Sequence, residues 1–413
     1  MPMKNNSQTT RKLITPEDAA FSVVRRLNRK GYLALYAGGC VRDKLLGIEP
    51  KDYDVATDAL PGDVCDLFGR TITVGAKFGV VVVMTGRQAV ETATFRTDQG
   101  YIDGRRPESV KFTDAREDAL RRDFTVNGMF ENPLTDEIID YVGGRKDLQN
   151  RIIRTIGNPR HRFDEDYLRM LRAVRFAAQL DFEIEPQTWQ AIKRYSDRIN
   201  NISIERVCQE LESIFVSGNP SRGIDLLFES GLGCEIFQGM DKPEIETGIS
   251  VLSELGGGLG MPLGLAAVFV AAQREKTCKY LKKLKLSNKR YSHALWMLEN
   301  FKDFASEKIE LSRLKELYAC SEYQMLVMLS EAWLRATGGD MNGFEKNRSI
   351  CSGFDRENVI PEPLLTGDDV IHAGCPKGPT VGRILKELKK LQLEEIINTK
   401  EQAEEWLKTQ VSK

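Results

Sequence analysis

The chain has 413 residues, room for two to four domains at roughly 100–200 residues each. Lys and Arg number 59 against 60 Asp and Glu, a formal net charge of −1, which excludes a uniformly basic nucleic-acid wrapper and leaves a local basic groove open. A hydrophobic content of 41% with 29% charged residues, and only 34 Gly and 15 Pro, excludes fibrous and low-complexity chains.

The first twelve residues are a polar arm without the apolar stretch of a secretory signal. Thr15 to Arg29 then reads as a helix, Leu33 to Ala37 as a strand ending in Gly38-Gly39, and Asp52-Tyr-Asp-Val-Ala as a second strand. Pro61 to Phe68 reads as a helix, with Pro61 in its first turn and Asp63 near its positive end. Val80-Val-Val-Val-Met84 is a β-branched run expected to be buried on both faces. This part is α/β. After Gly157-Asn158-Pro159 the periodicity turns helical and strand-like runs almost vanish. Breaks are expected near Ser217-Gly218-Asn219-Pro220, Gly256-Gly257-Gly258 and Pro361-Glu362-Pro363. The uncharged stretch from Gly256 to Ala272 is glycine-rich in its first half, so its apolar part falls short of the roughly 20 residues that cross a bilayer, and a buried helix is expected. No membrane association is expected. Eight scattered cysteines without a C-x-x-C pair, and only three histidines, point away from zinc or a disulfide framework and toward reduced thiols in a cytoplasm.

Three stretches carry chemistry. Gly38-Gly39-Cys40-Val41-Arg42-Asp43 is followed closely by Lys51-Asp52-Tyr53-Asp54. On a strand, Asp52 and Asp54 would share one side, roughly 6–7 Å apart at Cα, a donor pair that suits Mg²⁺ with substrate phosphates completing its shell. Two glycines let backbone N–H groups approach a triphosphate, and Arg42 can add a bidentate charge. An Asp-x-Asp pair is otherwise often just two solvated carboxylates; the one at Asp164-Glu165-Asp166 is assigned no metal role. The second stretch is Arg121-Arg122-Asp123-Phe124-Thr125-Val126-Asn127, where a buried Asp123 could orient an arginine toward a ligand, the alternative being a solvated basic face. In the third, Asp166, Arg169, Arg172 and Arg175 step round one side of a helix, opposite Leu168, Leu171, Val174 and Phe176. Such a row either pairs with acids of a neighbouring helix or holds an anion and reads a nucleobase edge.

In this order and spacing the stretches resemble the class II tRNA nucleotidyltransferases and bacterial poly(A) polymerases, of the polymerase-β-like nucleotidyltransferase superfamily. The resemblance runs from about Leu33 to about Leu211 and includes Glu91-Thr-Ala-Thr-Phe95-Arg96; a weaker match continues in Leu364-Leu-Thr-Gly367-Asp368-Asp369 and Gly378-Pro-Thr-Val-Gly382-Arg383. It implies an α/β nucleotidyltransferase head at 13–150, a helical neck at 151–217, a helical body at 218–305 and a helical, RNA-binding tail at 306–413. By the same resemblance Asp52 and Asp54 would bind catalytic Mg²⁺, with Glu91 a third acidic residue. Gly39, Arg42 and Arg122 would contact triphosphate. Asp166, Arg169, Arg172 and Arg175 would select the incoming base, Asp166 and Arg169 meeting its Watson–Crick edge. The implied reaction adds CCA, or its terminal A, to the 3′ end of tRNA from CTP and ATP, releasing pyrophosphate, with the tRNA acceptor arm as partner. Alternatives are a poly(A) polymerase and a non-catalytic RNA-binding relative. Val74-Gly75-Ala76-Lys77-Phe78-Gly79-Val80-Val81 resembles the CCA-adding type, and Thr97 to Arg106 occupies the flexible loop such enzymes use in switching from CTP to ATP. Leu265-Ala-Ala-Val-Phe-Val-Ala-Ala-Gln-Arg274 lacks the His-Asp pair that many relatives carry after the neck, so a second, phosphatase activity is not expected.

Overall fold

The computed structural model describes residues 14–101 and 107–411. The polar arm at 1–12 and the end of the expected flexible loop, Ile102 to Arg106, lie outside the described residues. Two compact units divide the chain. One runs up to Ile214 and includes Asp225–Ile236; the other comprises Phe215–Ile224 and the chain from Phe237 onward.

The first unit opens with α1 (Pro16–Arg29). Thr15 and Asp18 form a capping box and Pro16 sits in the first turn, so the helix start is written into three side chains. Ala19, Ala20, Val23, Val24 and Leu27 make its buried stripe. The chain continues through β1 (Ala34–Ala37), α2 (Gly39–Leu45), β2 (Asp54–Thr57), α3 (Pro61–Leu67), β3 (Thr71–Ile72), β4 (Val80–Thr85) and β5 (Gln88–Thr94). An antiparallel ribbon of β6 (Arg96–Tyr101) and β7 (Pro107–Phe112) follows, then α4 (Ala115–Arg121), β8 (Met129–Asn132), β9 (Glu137–Asp140) and α5 (Gly144–Gln149). Seven of these strands form one mixed sheet in the order β3-β4-β5-β2-β1-β8-β9. β2 pairs antiparallel with β1 and parallel with β5.

The register decides what meets at one end of this sheet. Ala37 pairs with Asp54, so the Gly38-Gly39 turn leaves β1 beside the first residue of β2. Val55 pairs with Thr92 in the parallel ladder, which places Glu91 alongside Asp54. Two expectations are corrected here. β2 starts at Asp54, so Asp52 lies in the extended segment before the strand. β4 is buried only at Val81 and Val83; Val80 and Val82 face a more open side, because alternate residues of a strand point to opposite faces and only one face of β4 is covered.

Beyond α5 lie β10 (Ile152–Ile153), α6 (Pro159–Glu165), α7 (Leu168–Leu180), β11 (Glu183–Ile184), α8 (Pro186–Tyr195) and α9 (Ile204–Val216), with β10 and β11 paired in parallel. The expected single helical row is broken at its first member. Asp166 adopts an extended conformation, φ −156° and ψ 104°, at the end of α6, and α7 begins only at Leu168. The Asp166 side chain accepts a hydrogen bond from the Leu168 N–H at 3.0 Å, which satisfies an otherwise orphan donor of the helix start.

The second unit is helical from Lys242–Leu255 to Lys400–Val411 among its described residues. The uncharged stretch contains the helix Met261–Val268, seven of whose eight residues are buried. Its Gly264 lies flat against Phe215, where a Cβ would fall 2.4 Å from the ring. Near the carboxy end a separate core gathers Leu365, Val370, Ile384, Leu388 and Leu407. Among the described residues no helix is long and apolar enough to cross a membrane.

Candidate active site

A cavity of about 680 Å³ opens in the first unit at the end of the sheet where the Gly38-Gly39 turn and Asp54 meet. All ten residues singled out from the sequence line it: Gly39, Arg42, Asp52, Asp54, Glu91, Arg122, Asp166, Arg169, Arg172 and Arg175. Arg96, Arg121, Asp123, Asn127, Phe176 and Arg206 line it too.

One wall is acidic. Burial, then the neighbouring Glu91 and Asp52 carboxylates, push the Asp54 carboxyl up to about 6, and Arg122 only partly offsets them. Like charges gathered with only partial compensation from an arginine are the donor chemistry of a hard divalent ion. Among the described residues no three His, Cys, Asp or Glu side chains form a ready-made metal cage. Two carboxylates with remaining positions left for substrate phosphate and water are what a catalytic Mg²⁺-type site requires, so these residues fit one.

The opposite wall is basic, and each guanidinium is held. Gly38 takes φ 75° to start α2, leaving room for Arg122; a Cβ there would sit 3.0 Å from Arg122 Nη1. Arg42, 5% exposed, donates from Nη1 to Asn127 Oδ1 at 2.8 Å and from Nε to Asp43 at 2.8 Å. Asp118 on α4 holds Arg121 and Arg122, one carboxylate oxygen for each. Asp123 orients an arginine, as its position in the sequence suggests, and the partner is Arg172, reached through Nε at 2.8 Å and Nη2 at 2.6 Å. Burial alone would raise the Asp123 carboxyl; Arg172, Arg169 and the Phe124 N–H outweigh it and draw it down to about 2.

The row that follows pairs with acids and still faces the cavity. Arg169 donates to the Arg162 carbonyl at 3.0 Å and to Glu165. Arg175 donates from Nε to Glu210 at 2.6 Å and lies 3.9 Å over the Phe176 ring. Asp166 accepts two hydrogen bonds from Arg206, at 2.6 and 3.2 Å. The sequence reading missed Asp118, Arg206 and Glu210. Asp118 had a readable signal, since it precedes Arg121 and Arg122 by three and four positions at the end of one helix. Arg206 and Glu210 lie 40 and 35 residues from their partners, and no local pattern announces them.

Comparison with known proteins places this architecture. Residues 34–154 match the family model described as the Poly A polymerase head domain, and residues 181–246 match the one described as a probable RNA and SrmB-binding site of polymerase A. The CCA-adding enzyme of Bacillus pumilus is 36% identical over 359 residues, covering 81% of this chain and 89% of its own length. The chain belongs to the CCA-adding enzyme family. Another member, from Pediococcus pentosaceus, is 34% identical over 90% of this chain and 92% of its own. The crystal structure of the Bacillus stearothermophilus CCA-adding enzyme in complex with CTP superimposes with a TM-score of 0.76 at 31% identity, over 96% of this chain and 97% of that one. Nucleotidyltransferases of the CCA-adding family generally use divalent metal ions.

Proposed function

We propose that this CCA-adding family member builds C, C and A onto the 3′ end of tRNA from CTP and ATP without a nucleic-acid template. The observation that carries the reading is the single cavity lined by an acidic pair, an arginine-rich wall and the Asp166 to Arg175 row. The RNA 3′-hydroxyl attacks the α-phosphorus, a new P–O bond forms as the hydroxyl proton passes to water, the bond to the bridging β-phosphate oxygen breaks, and pyrophosphate leaves with its electron pair. Asp52 and Asp54, with Glu91 beside them, would hold Mg²⁺. When bound, Mg²⁺ lowers the hydroxyl pKa and neutralises charge on the departing phosphates. Arg122 and Arg42 supply fixed positive charge to the triphosphate, and Gly39 lets it approach the start of α2.

Base choice follows from hydrogen-bond polarity. The Asp166 carboxylate only accepts, so it suits the exocyclic amines of cytosine and adenine and repels the carbonyl oxygens at the same place in uracil and guanine. Arg169 only donates, so it suits the ring-nitrogen acceptor next to that amine. Asp123 and Glu210 orient Arg172 and Arg175, which line the same cavity. A cytoplasmic setting is part of the proposal, supported by eight cysteines that are all free thiols.

The test offers tRNAs ending at the discriminator, at C and at CC, with CTP or ATP supplied separately. Two C additions to the shortest substrate and one A to the CC end, followed by arrest, are expected. Unlimited A addition to arbitrary RNA would make it a poly(A) polymerase, and A on CC ends without any C addition would restrict it to the terminal step.

A further inference from the structure

We propose that Asp118, outside the residues assigned above to nucleotide or metal, is the positioning residue that aims the arginine pair at the nucleotide's polyphosphate. Asp118 is 1% exposed. Its Oδ1 takes Arg121 through Nε at 2.9 Å and Nη2 at 2.7 Å, and its Oδ2 takes Arg122 through Nε at 3.1 Å and Nη2 at 3.0 Å. Two adjacent arginines in a chain would otherwise diverge and repel; here one buried carboxylate gathers both on the cavity wall.

The hold on Arg122 is directional. With Nε and Nη2 occupied and the guanidinium lying 5.0 Å over the Phe130 ring, Nη1 points toward the Gly38 turn and the Asn127 carbonyl at 3.4 Å. Arg121 meets a second carboxylate, Asp98 at 3.7 Å, and Asp98 also meets Arg96 at 3.4 Å. The carboxylates orient these arginines, and it is the arginines, Arg96, Arg121 and Arg122, that line the cavity. Asp118 touches no substrate in this scheme. It fixes side chains that do, and so removes the cost of ordering them when the nucleotide arrives.

This inference rests on the nucleotidyltransferase reading, and the experiment separates the two. Steady-state incorporation of CTP and ATP is measured for the parent, Asp118→Asn and Asp118→Glu, each also in an Arg122→Gln background. A parent that incorporates neither nucleotide defeats the function. With an active parent, Asp118→Asn is expected to raise KM for both nucleotides by about tenfold while KM for tRNA stays within about twofold. In the Arg122→Gln background the same substitution should raise nucleotide KM by no more than about threefold, because of the two side chains through which it acts only Arg121 remains. Equal increases in both backgrounds, or an unchanged KM, overturn the proposal. If Asp118→Asn fails to fold, Asp118→Glu decides: it keeps the charge and shifts the oxygens by one methylene. A raised nucleotide KM at parental melting temperature supports the assignment, and a parental KM overturns it.

Discussion

The Asp123 carboxylate grips Arg172 through Nε at 2.8 Å and Nη2 at 2.6 Å, joining the segment after α4 to α7 across 49 positions of sequence. The side chains are 11% and 34% exposed, so the pair is mostly shielded from screening by solvent. Asp123→Asn leaves Arg172 short of its counter-charge and should destabilise the fold by about 2 kcal/mol, below the usual cost of breaking a fully buried pair because Arg172 keeps some water. The pH dependence has a definite sign. Asp123 is drawn down to about 2 in the folded state, so its stabilisation is fully present above the ordinary carboxylate pKa of about 4 and is lost as pH falls through 2. Denaturant midpoints of parent and variant should differ by a constant amount above pH 5 and converge below pH 4; a gap that does not narrow in acid would refute this account.

Asp54 behaves in the opposite sense. Its carboxyl is pushed up to about 6, so its favourable contribution is fully present below about pH 4 and is lost as pH rises through 6. In chelator, Asp54→Asn should therefore be more stable than the parent at pH 7.5, on the order of 1 kcal/mol once the solvent exposure of the site is allowed for, and the advantage should vanish near pH 4. Adding a divalent cation should stabilise the parent at pH 7.5 and leave Asp54→Asn unmoved. Identical cation responses in thermal melts of the two proteins would remove Asp54 from the metal site.

Legibility in the sequence followed range. Gly38-Gly39, Asp52 with Asp54, and Arg121-Arg122-Asp123 are short-range patterns, and the cavity gathers them. Glu91 was placed by resemblance, and the parallel register of Val55 with Thr92 supplies the physical reason. The helical row was half legible: its spacing revealed which residues face together, but the break at Asp166 depends on an extended backbone between α6 and α7 that periodicity does not report. The partners of that row, Arg206 and Glu210, come from α9 and are tertiary facts. The β4 run misled because β-branched composition signals a strand without saying how many of its faces are covered.

Asp52 precedes β2, and its side chain is exposed beside the buried Tyr53. Asp52→Ala should keep the melting profile within about 0.5 kcal/mol of the parent, as exposed substitutions generally do, and lose nucleotide incorporation. Melting curves and a single-nucleotide extension assay measure both sides; retained incorporation would remove Asp52 from the chemistry.

The two glycines before α2 should respond differently to the same added methyl. Gly38 sits at φ 75°, and a Cβ there would lie 3.0 Å from Arg122 Nη1 and 3.8 Å from the Asn127 carbonyl. Gly38→Ala therefore meets backbone strain of about 1–2 kcal/mol, and it also displaces the guanidinium proposed to bind phosphate. Its melting temperature should fall and its nucleotide KM should rise together. Gly39 lies in the first turn of α2 without positive φ, and its nearest neighbour would be Arg42 Nη2 at 3.8 Å, an ordinary contact. Gly39→Ala should keep parental stability while its methyl occupies space on the cavity wall, so nucleotide KM alone should rise. Thermal melts with CTP and ATP titrations read both effects, and a Gly39→Ala variant that melts as early as Gly38→Ala would show that the distinction between strain and occupancy is wrong.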